Sequence, residues 1–166
     1  MPGIFGIFDL NNKLDLKRKI QAMSDSLVHE PWFKVYTFHQ KEISLGSINL
    51  GNFNYASQPV FNENKSLGII MHGEIYDYRE NLPHLIYKSE NDLVNILDLF
   101  QKKPLDFIQN LNGSFVFAIY DFKRKRLVMA NDRYGLRPLY FFSINIFSFS
   151  HLRSKLWSSS PRYKEK

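Results

Sequence analysis

The chain has 166 residues, 44% apolar and 23% charged, which is one domain's worth of polypeptide with enough apolar mass for a core. It contains no cysteine, which excludes disulfides, thiolate metal sites and a cysteine nucleophile. No apolar run reaches a membrane span and no signal-peptide pattern opens the chain, so it reads by default as cytoplasmic. The formal charge is +6, with basic clusters at Lys17–Lys19, Lys123–Arg126 and over 153–166. Solvated turns and a basic tail account for most of that charge; nucleic acid is not expected as a partner.

In chain order, Gly3-Ile4-Phe5-Gly6-Ile7-Phe8 is short and apolar and predicts a buried strand. Leu14, Leu16, Ile20, Met23 and Leu27 keep helical spacing. Alternation over Phe33–His39, followed by Glu42–Leu50, predicts a hairpin. Residues 51–57 read as loop, and Ser66–His72 as a second buried strand. From Tyr78 to Gln101 the pattern is helical, with a helix start at Ser89 ahead of Glu90–Asp92. Pro104 opens another short helix near Leu105–Leu111. Ser114–Tyr120 and Arg126–Ala130 form a hairpin across Asp121–Lys125, and Leu139–Phe142 pairs with Ile146–Ser150. Strands at both ends with helices between them argue for an α+β class.

Three stretches carry candidate chemistry. The first is Pro2-Gly3-Ile4-Phe5-Gly6. Its small residues permit close approach by a ligand or backbone, and removal of Met1 would leave Pro2 as an N-terminal amine able to act as a base. The second, Met71-His72-Gly73-Glu74-Ile75-Tyr76-Asp77-Tyr78, reads as a strand end turning through Gly73 into a helix; a tight turn that needs glycine explains it equally well. The third, Asp132-Arg133-Tyr134-Gly135-Leu136-Arg137-Pro138-Leu139-Tyr140, reads as an ordered loop built around a buried Asp132–Arg133 pair. The five histidines show no ligand spacing, so no metal site is expected, and no phosphate-binding glycine motif occurs.

Taken in order, these stretches resemble the N-terminal glutaminase domain of glutamine-hydrolysing asparagine synthetase, a class II (Ntn-type) glutamine amidotransferase. The start resembles that family's Cys-Gly-Ile-x-Gly. Gln58-Pro59 and Gly73-Glu74-Ile75-Tyr76 resemble its Gln-Pro and Asn-Gly-Glu-Ile-Tyr-Asn segments. Asn131-Asp132-Arg133-Tyr134-Gly135-Leu136-Arg137-Pro138-Leu139-Tyr140 resembles its Arg-Asp-Arg-x-Gly-x-(Lys/Arg)-Pro-Leu-Tyr element, whose Asp132, Arg133, Gly135, Arg137 and Pro138 read as structural. The likeness covers about residues 2 to 152, giving a domain over 1–152 and a basic tail over 153–166. It implies a four-layer αββα Ntn-hydrolase-like sandwich of two antiparallel sheets. In the family, the resemblance further implies, an N-terminal cysteine attacks glutamine and uses its own amine as base. An Asn and a Gly N–H stabilise the oxyanion, an Arg and an Asp hold the substrate, and ammonia passes to an ATP-using synthetase domain.

The chain departs from this pattern where the chemistry occurs. Pro2 stands at the nucleophile position, His72 at the oxyanion Asn, Asn49 at the carboxylate-binding Arg, and Glu90 at the amine-binding Asp. No catalytic set is therefore assigned; Gly3, His72, Gly73 and Glu74 line the candidate pocket. Loss of a covalent nucleophile alone lowers turnover about a million-fold, so glutaminase activity is not expected. The expectation is a catalytically inactive, glutaminase-like subunit supporting a separately encoded asparagine-synthetase-like, ATP-dependent amide-forming ligase. The chain itself would need no cofactor, ATP and Mg belonging to the ligase, and a homodimer is a further option. The alternatives are an enzyme of altered chemistry using the Pro2 amine, or a module that binds a small ligand or anion. A copy truncated from a longer gene also fits.

Overall fold

A computed structural model of the chain describes residues 2–9, 11, 14–51, 57–76, 91–143 and 147–150. In each of two antiparallel sheets the central strands are buried on both faces, and this explains why several of them read as continuous apolar runs rather than as alternating ones. The first sheet joins β1 (Gly3–Phe8), β2 (Lys34–Gln40), β3 (Ile43–Asn49), β8 (Tyr140–Ser143) and β9 (Phe147–Ser150) in the order β2-β3-β1-β9-β8. The second joins β4 (Val60–Phe61), β5 (Leu67–Tyr76), β6 (Asn112–Asp121) and β7 (Arg126–Asn131) in the order β4-β5-β6-β7.

Strand alternation sorts the core into three layers. Ile4, Leu45, Ile70, Val116, Ala118, Tyr120 and Phe149 meet between the sheets. Phe5, Ile7 and Ile48 point the other way, onto Leu16, Ile20, Met23 and Leu27 of helix α1 (Leu16–Leu27). On the far side, Ile69, Met71, Phe115, Phe117 and Ile119 pack under Leu93, Ile96, Leu97 and Phe100 of helix α2 (Asp92–Lys102). The result is helix, sheet, sheet, helix, the expected four-layer α+β sandwich. Gly6 sits in the central layer, and a Cβ there would stand 2.6 Å from the Phe149 ring. The close approach expected at that glycine is therefore taken by the core itself, not by a ligand.

The helices start on local side-chain bonds. Asp15 caps α1 by accepting from the Arg18 N–H at 3.1 Å, and Asp9 accepts from Leu14 N–H at 2.9 Å just upstream. Asn91 caps α2 by accepting from Leu93 N–H at 2.9 Å; the expected start at Ser89 and Glu90 lies outside the described residues. Asp92, in the first turn, also accepts from Ile75 N–H at 3.3 Å and so joins α2 to the end of β5. The helix expected near Leu105–Leu111 is a short 3-10 helix, Asp106–Asn110, one residue inside the expected bounds at each end.

The two ends of the sandwich differ. At one end Lys125, in the β6–β7 turn, pairs with Glu42 at the start of β3, and the Phe8 and Tyr120 rings meet edge-on at 5.4 Å. Asp121 holds that turn by accepting from the Lys123 and Arg124 N–H groups at 3.0 and 2.9 Å. The opposite end carries the first residues of β1, the last of β3 and the His72–Tyr76 part of β5.

Candidate functional site

The candidate site lies at this second end. Gly3 pairs with Ile48, so continuing the antiparallel register by one residue sets Pro2 opposite Asn49. On the facing sheet, β5 does not end at His72 as the sequence suggested. It runs through Gly73 to Tyr76 and pairs with β6 throughout, from Leu67↔Asp121 to Tyr76↔Asn112. Gly73 permits this: its φ is +103°, and a Cβ there would stand 2.0 Å from the Ser114 carbonyl oxygen. The glycine thus serves a strand with a tight cross-strand approach rather than a strand-to-helix turn.

His72 and Glu74 alternate onto the inter-sheet face of β5, both half-buried, and their register partners are Val116 and Ser114. Arg137 reaches this face from the loop after β7. Its Nη1 lies 2.6 Å from His72 Nε2, and its Nε donates to Ser114 Oγ at 3.2 Å. A guanidinium has donors only, so His72 Nε2 must be the acceptor and the ring proton sits on Nδ1. This decides the chemistry at the position: the ring nitrogen facing Arg137 holds a lone pair, not an N–H that could receive an oxyanion. Ser114 was not singled out in the sequence. The signal was its place two and four residues before Val116 and Ala118, on the same face of β6.

Arg137 is delivered by a loop organised around Asp132, which is buried. Its Oδ1 accepts from the Tyr134 and Leu136 N–H groups at 3.1 and 3.0 Å, and its Oδ2 from the Arg137 N–H at 3.1 Å. Burial would push this carboxyl up, but the N–H groups of Leu136, Arg137 and Tyr134 outweigh burial and hold it below the ordinary aspartate value. The expected Asp132–Arg133 pair is not formed. Backbone donors, not a guanidinium, satisfy Asp132, and Arg133 is exposed, with one long bond at 3.4 Å to the Gln109 carbonyl.

Gln58 supports the site from behind. Its buried side chain acts as a strand partner for β5, with Oε1 accepting from Met71 N–H at 2.8 Å and Nε2 donating to Met71 O at 3.0 Å. Asn49 accepts from Gly51 N–H at 3.0 Å. Lys34 brings a cation to this corner; it pairs with Asn49 in register and lies over Gly51. Strand order thus brings Pro2, Asn49, His72 and Glu74 to one end, while Glu90 lies outside the described residues. Among the described residues, no group of three or more His, Asp or Glu side chains is placed to hold a metal ion.

A family model described as "Glutamine amidotransferase domain" matches residues 1–164. The chain belongs to that family. It is similar to asparagine synthetase B [glutamine-hydrolyzing] of Escherichia coli, 28% identical over 147 residues that make up 84% of this chain and 26% of that protein. A probable asparagine synthetase of Dictyostelium discoideum is 28% identical over 149 residues, 84% of this chain and 27% of that protein. Asparagine synthetase 3 of Arabidopsis thaliana is 27% identical over 146 residues, with 84% and 25% covered. The chain therefore corresponds to the N-terminal glutaminase domain of these proteins and spans about a quarter of their length. No helix among the described residues is long and apolar enough to cross a membrane.

Proposed function

We propose that this glutamine amidotransferase domain is catalytically inactive and supports a separately encoded, asparagine-synthetase-like ligase that uses ATP and Mg to form an amide. The observation that carries the reading is the pairing of Pro2 at the nucleophile position with a His72 whose ring nitrogen accepts from Arg137. The first removes the attacking side chain. The second commits Nε2 of the residue at the oxyanion position to Arg137, so that nitrogen offers no N–H to a tetrahedral intermediate. A ligase served by such a domain would take its amine from the substrate itself, because no ammonia would be released here.

The test is co-expression with an asparagine-synthetase-like ligase from the same source, followed by amide formation measured with and without this chain. A stable complex whose turnover falls when the chain is omitted, with no glutamate released from glutamine, is the expected result. Full ligase turnover without the chain, together with no complex, overturns the reading. A second reading, in which Pro2 acts as an N-terminal amine catalyst, draws on its place at the same end of the sandwich as His72. Intact-mass measurement showing that Met1 is retained would remove it.

A further inference from the structure

We infer that the contact between His72 and Arg137 is a proton-operated latch, which holds the 132–139 loop on β5 while His72 is neutral and hands Arg137 to Glu74 when His72 takes up a proton. That loop connects β7 of the second sheet to β8 of the first, so the contact ties the crossing between the sheets to β5 at the candidate site. Arg137 Nη1 lies 2.6 Å from His72 Nε2, and Arg137 Nε donates to Ser114 Oγ at 3.2 Å. The first bond exists only while Nε2 holds a lone pair. A proton there would set an imidazolium against a guanidinium at contact distance, two donors with no acceptor between them. The second bond ends on a hydroxyl and is indifferent to that proton.

The neighbouring charges decide where Arg137 turns. Glu74 stands two residues beyond His72 on the same face of β5, half-buried, and its register partner is Ser114. Among the described residues Glu74 forms no ion pair. A guanidinium anchored on Ser114 therefore has a carboxylate across the same strand pair to move to. The other elements at this end bring little charge. Ser114 and Val116 of β6 and Asn49 of β3 carry none. Lys34 of β2 faces Asn49 in register, and Pro2 adds an amine only if Met1 is removed. Asp132 keeps its oxygens on the N–H groups of Tyr134, Leu136 and Arg137. Asp92 bonds the Ile75 N–H from α2, and Arg133 bonds the Gln109 carbonyl.

An ordinary histidine takes up its proton near pH 6.5, and a like charge in contact moves that uptake to lower pH. The latch is thus closed at neutral pH and opens in mild acid. Opening reverses the hydrogen-bonding character at position 72: the ring nitrogen that accepted from Arg137 becomes an N–H donor, and Arg137 pairs with a carboxylate instead of a neutral ring. The inference stands on this geometry and holds whether or not the domain serves a ligase.

The test is an NMR titration of the isotope-labelled full chain from about pH 8 to about pH 5, following the His72 ring nitrogens and the Arg137 Nε–H. The His72 signals are identified by their loss in His72→Gln. At the alkaline end the ring proton should sit on Nδ1. His72 should reach half-protonation below about pH 6.5, with the Arg137 signal moving at the same midpoint. Arg137→Gln should raise the His72 midpoint by about one unit, a tenfold gain in proton affinity. Glu74→Gln should lower that midpoint and abolish the displacement of the Arg137 signal in acid. A ring proton on Nε2 at the alkaline end, or one midpoint shared by wild type and Arg137→Gln, would overturn the latch. Should Arg137→Gln not fold, Glu74→Gln decides, because an Arg137 displacement that persists in that variant overturns the handover. Glutamate released from glutamine by the wild-type chain would sink the inactive-domain reading and leave this titration as it is.

Discussion

Replacing Asp132 by Asn should destabilise the domain and free Arg137 from His72. The carboxylate accepts three backbone N–H groups, two on Oδ1 and one on Oδ2. In its better orientation an Asn keeps the Tyr134 and Leu136 bonds and turns an NH₂ toward the Arg137 N–H, donor against donor. Losing one bond to a charged acceptor costs about 1.5–3 kcal/mol. The remaining two fall from charge-assisted to neutral strength, roughly 0.5 kcal/mol each. Asp132 is 4% exposed, so solvent screening subtracts little. The total is about 2.5–4 kcal/mol, a fall in Tm of roughly 5–15 °C for a domain of this size. The sign with pH follows from the lowered carboxyl: its stabilisation is complete above the unfolded value of about 4 and is lost as pH falls through the folded one. Denaturant unfolding of wild type and Asp132→Asn should therefore differ most near neutral pH and converge in acid. Equal stability at pH 7, or a gap that persists undiminished at pH 2, would refute the reasoning.

Three further outcomes are expected. Gly73→Ala places a Cβ 2.0 Å from a backbone oxygen at φ +103°, so it should cost more than about 3 kcal/mol and appear as loss of folded protein by circular dichroism; a stability within 1 kcal/mol of wild type would contradict the close approach. Pro2→Cys should leave glutamine hydrolysis at background in an assay of glutamate release, because His72 Nε2 still accepts from Arg137 and Asn49 supplies no cation; turnover above background would show that the site is only one residue from activity. The Tyr120 hydroxyl is buried with no hydrogen-bond partner among the described residues, and burial, then Glu42 and Asp121, push its pKa up to about 12. The unfolded chain releases that proton near pH 10, so wild type should lose stability between pH 10 and 12, and Tyr120→Phe should lose less; superimposable alkaline curves would count against it.

The fold was legible because its strands are apolar runs bounded by turn residues, and hairpins such as 112–131 and 34–49 pair neighbours in sequence. What was not legible depended on partners distant in the chain or on how a loop folds back on itself. His72 looked like a strand end because Gly73 follows it, yet ten residues of β6 hold β5 extended past that point. Asp132 and Arg133 looked like an ion pair because they are adjacent. In the fold, backbone donors two to five residues ahead reach the carboxylate first, and a loop that turns back on itself cannot be read from adjacency. Nor does the sequence state that Arg137, sixty-five positions from His72, fixes that ring's tautomer.

The residues that match the family and those that depart from it do different physical work. Gln58, Gly73 and Asp132 serve the backbone, as a substitute strand partner, a space without Cβ and a triple acceptor. Changing any of them leaves buried polar groups unpaired or atoms overlapping, at a cost that is a large share of a marginally stable domain's total. Under the proposed reading, Pro2, Asn49 and His72 stand at positions whose side chains would serve the reaction rather than the fold. The sandwich tolerates other residues there, since Pro2 and Asn49 meet at a strand terminus and His72 is half-buried with Arg137 as partner. A domain that has lost its reaction and still serves as a folded surface would diverge at the second set and hold the first. The Asp132 loop then has two consequences from one carboxylate: it carries Arg137 inward to His72, and it leaves Arg133, Tyr134 and Leu136 exposed on its outer side.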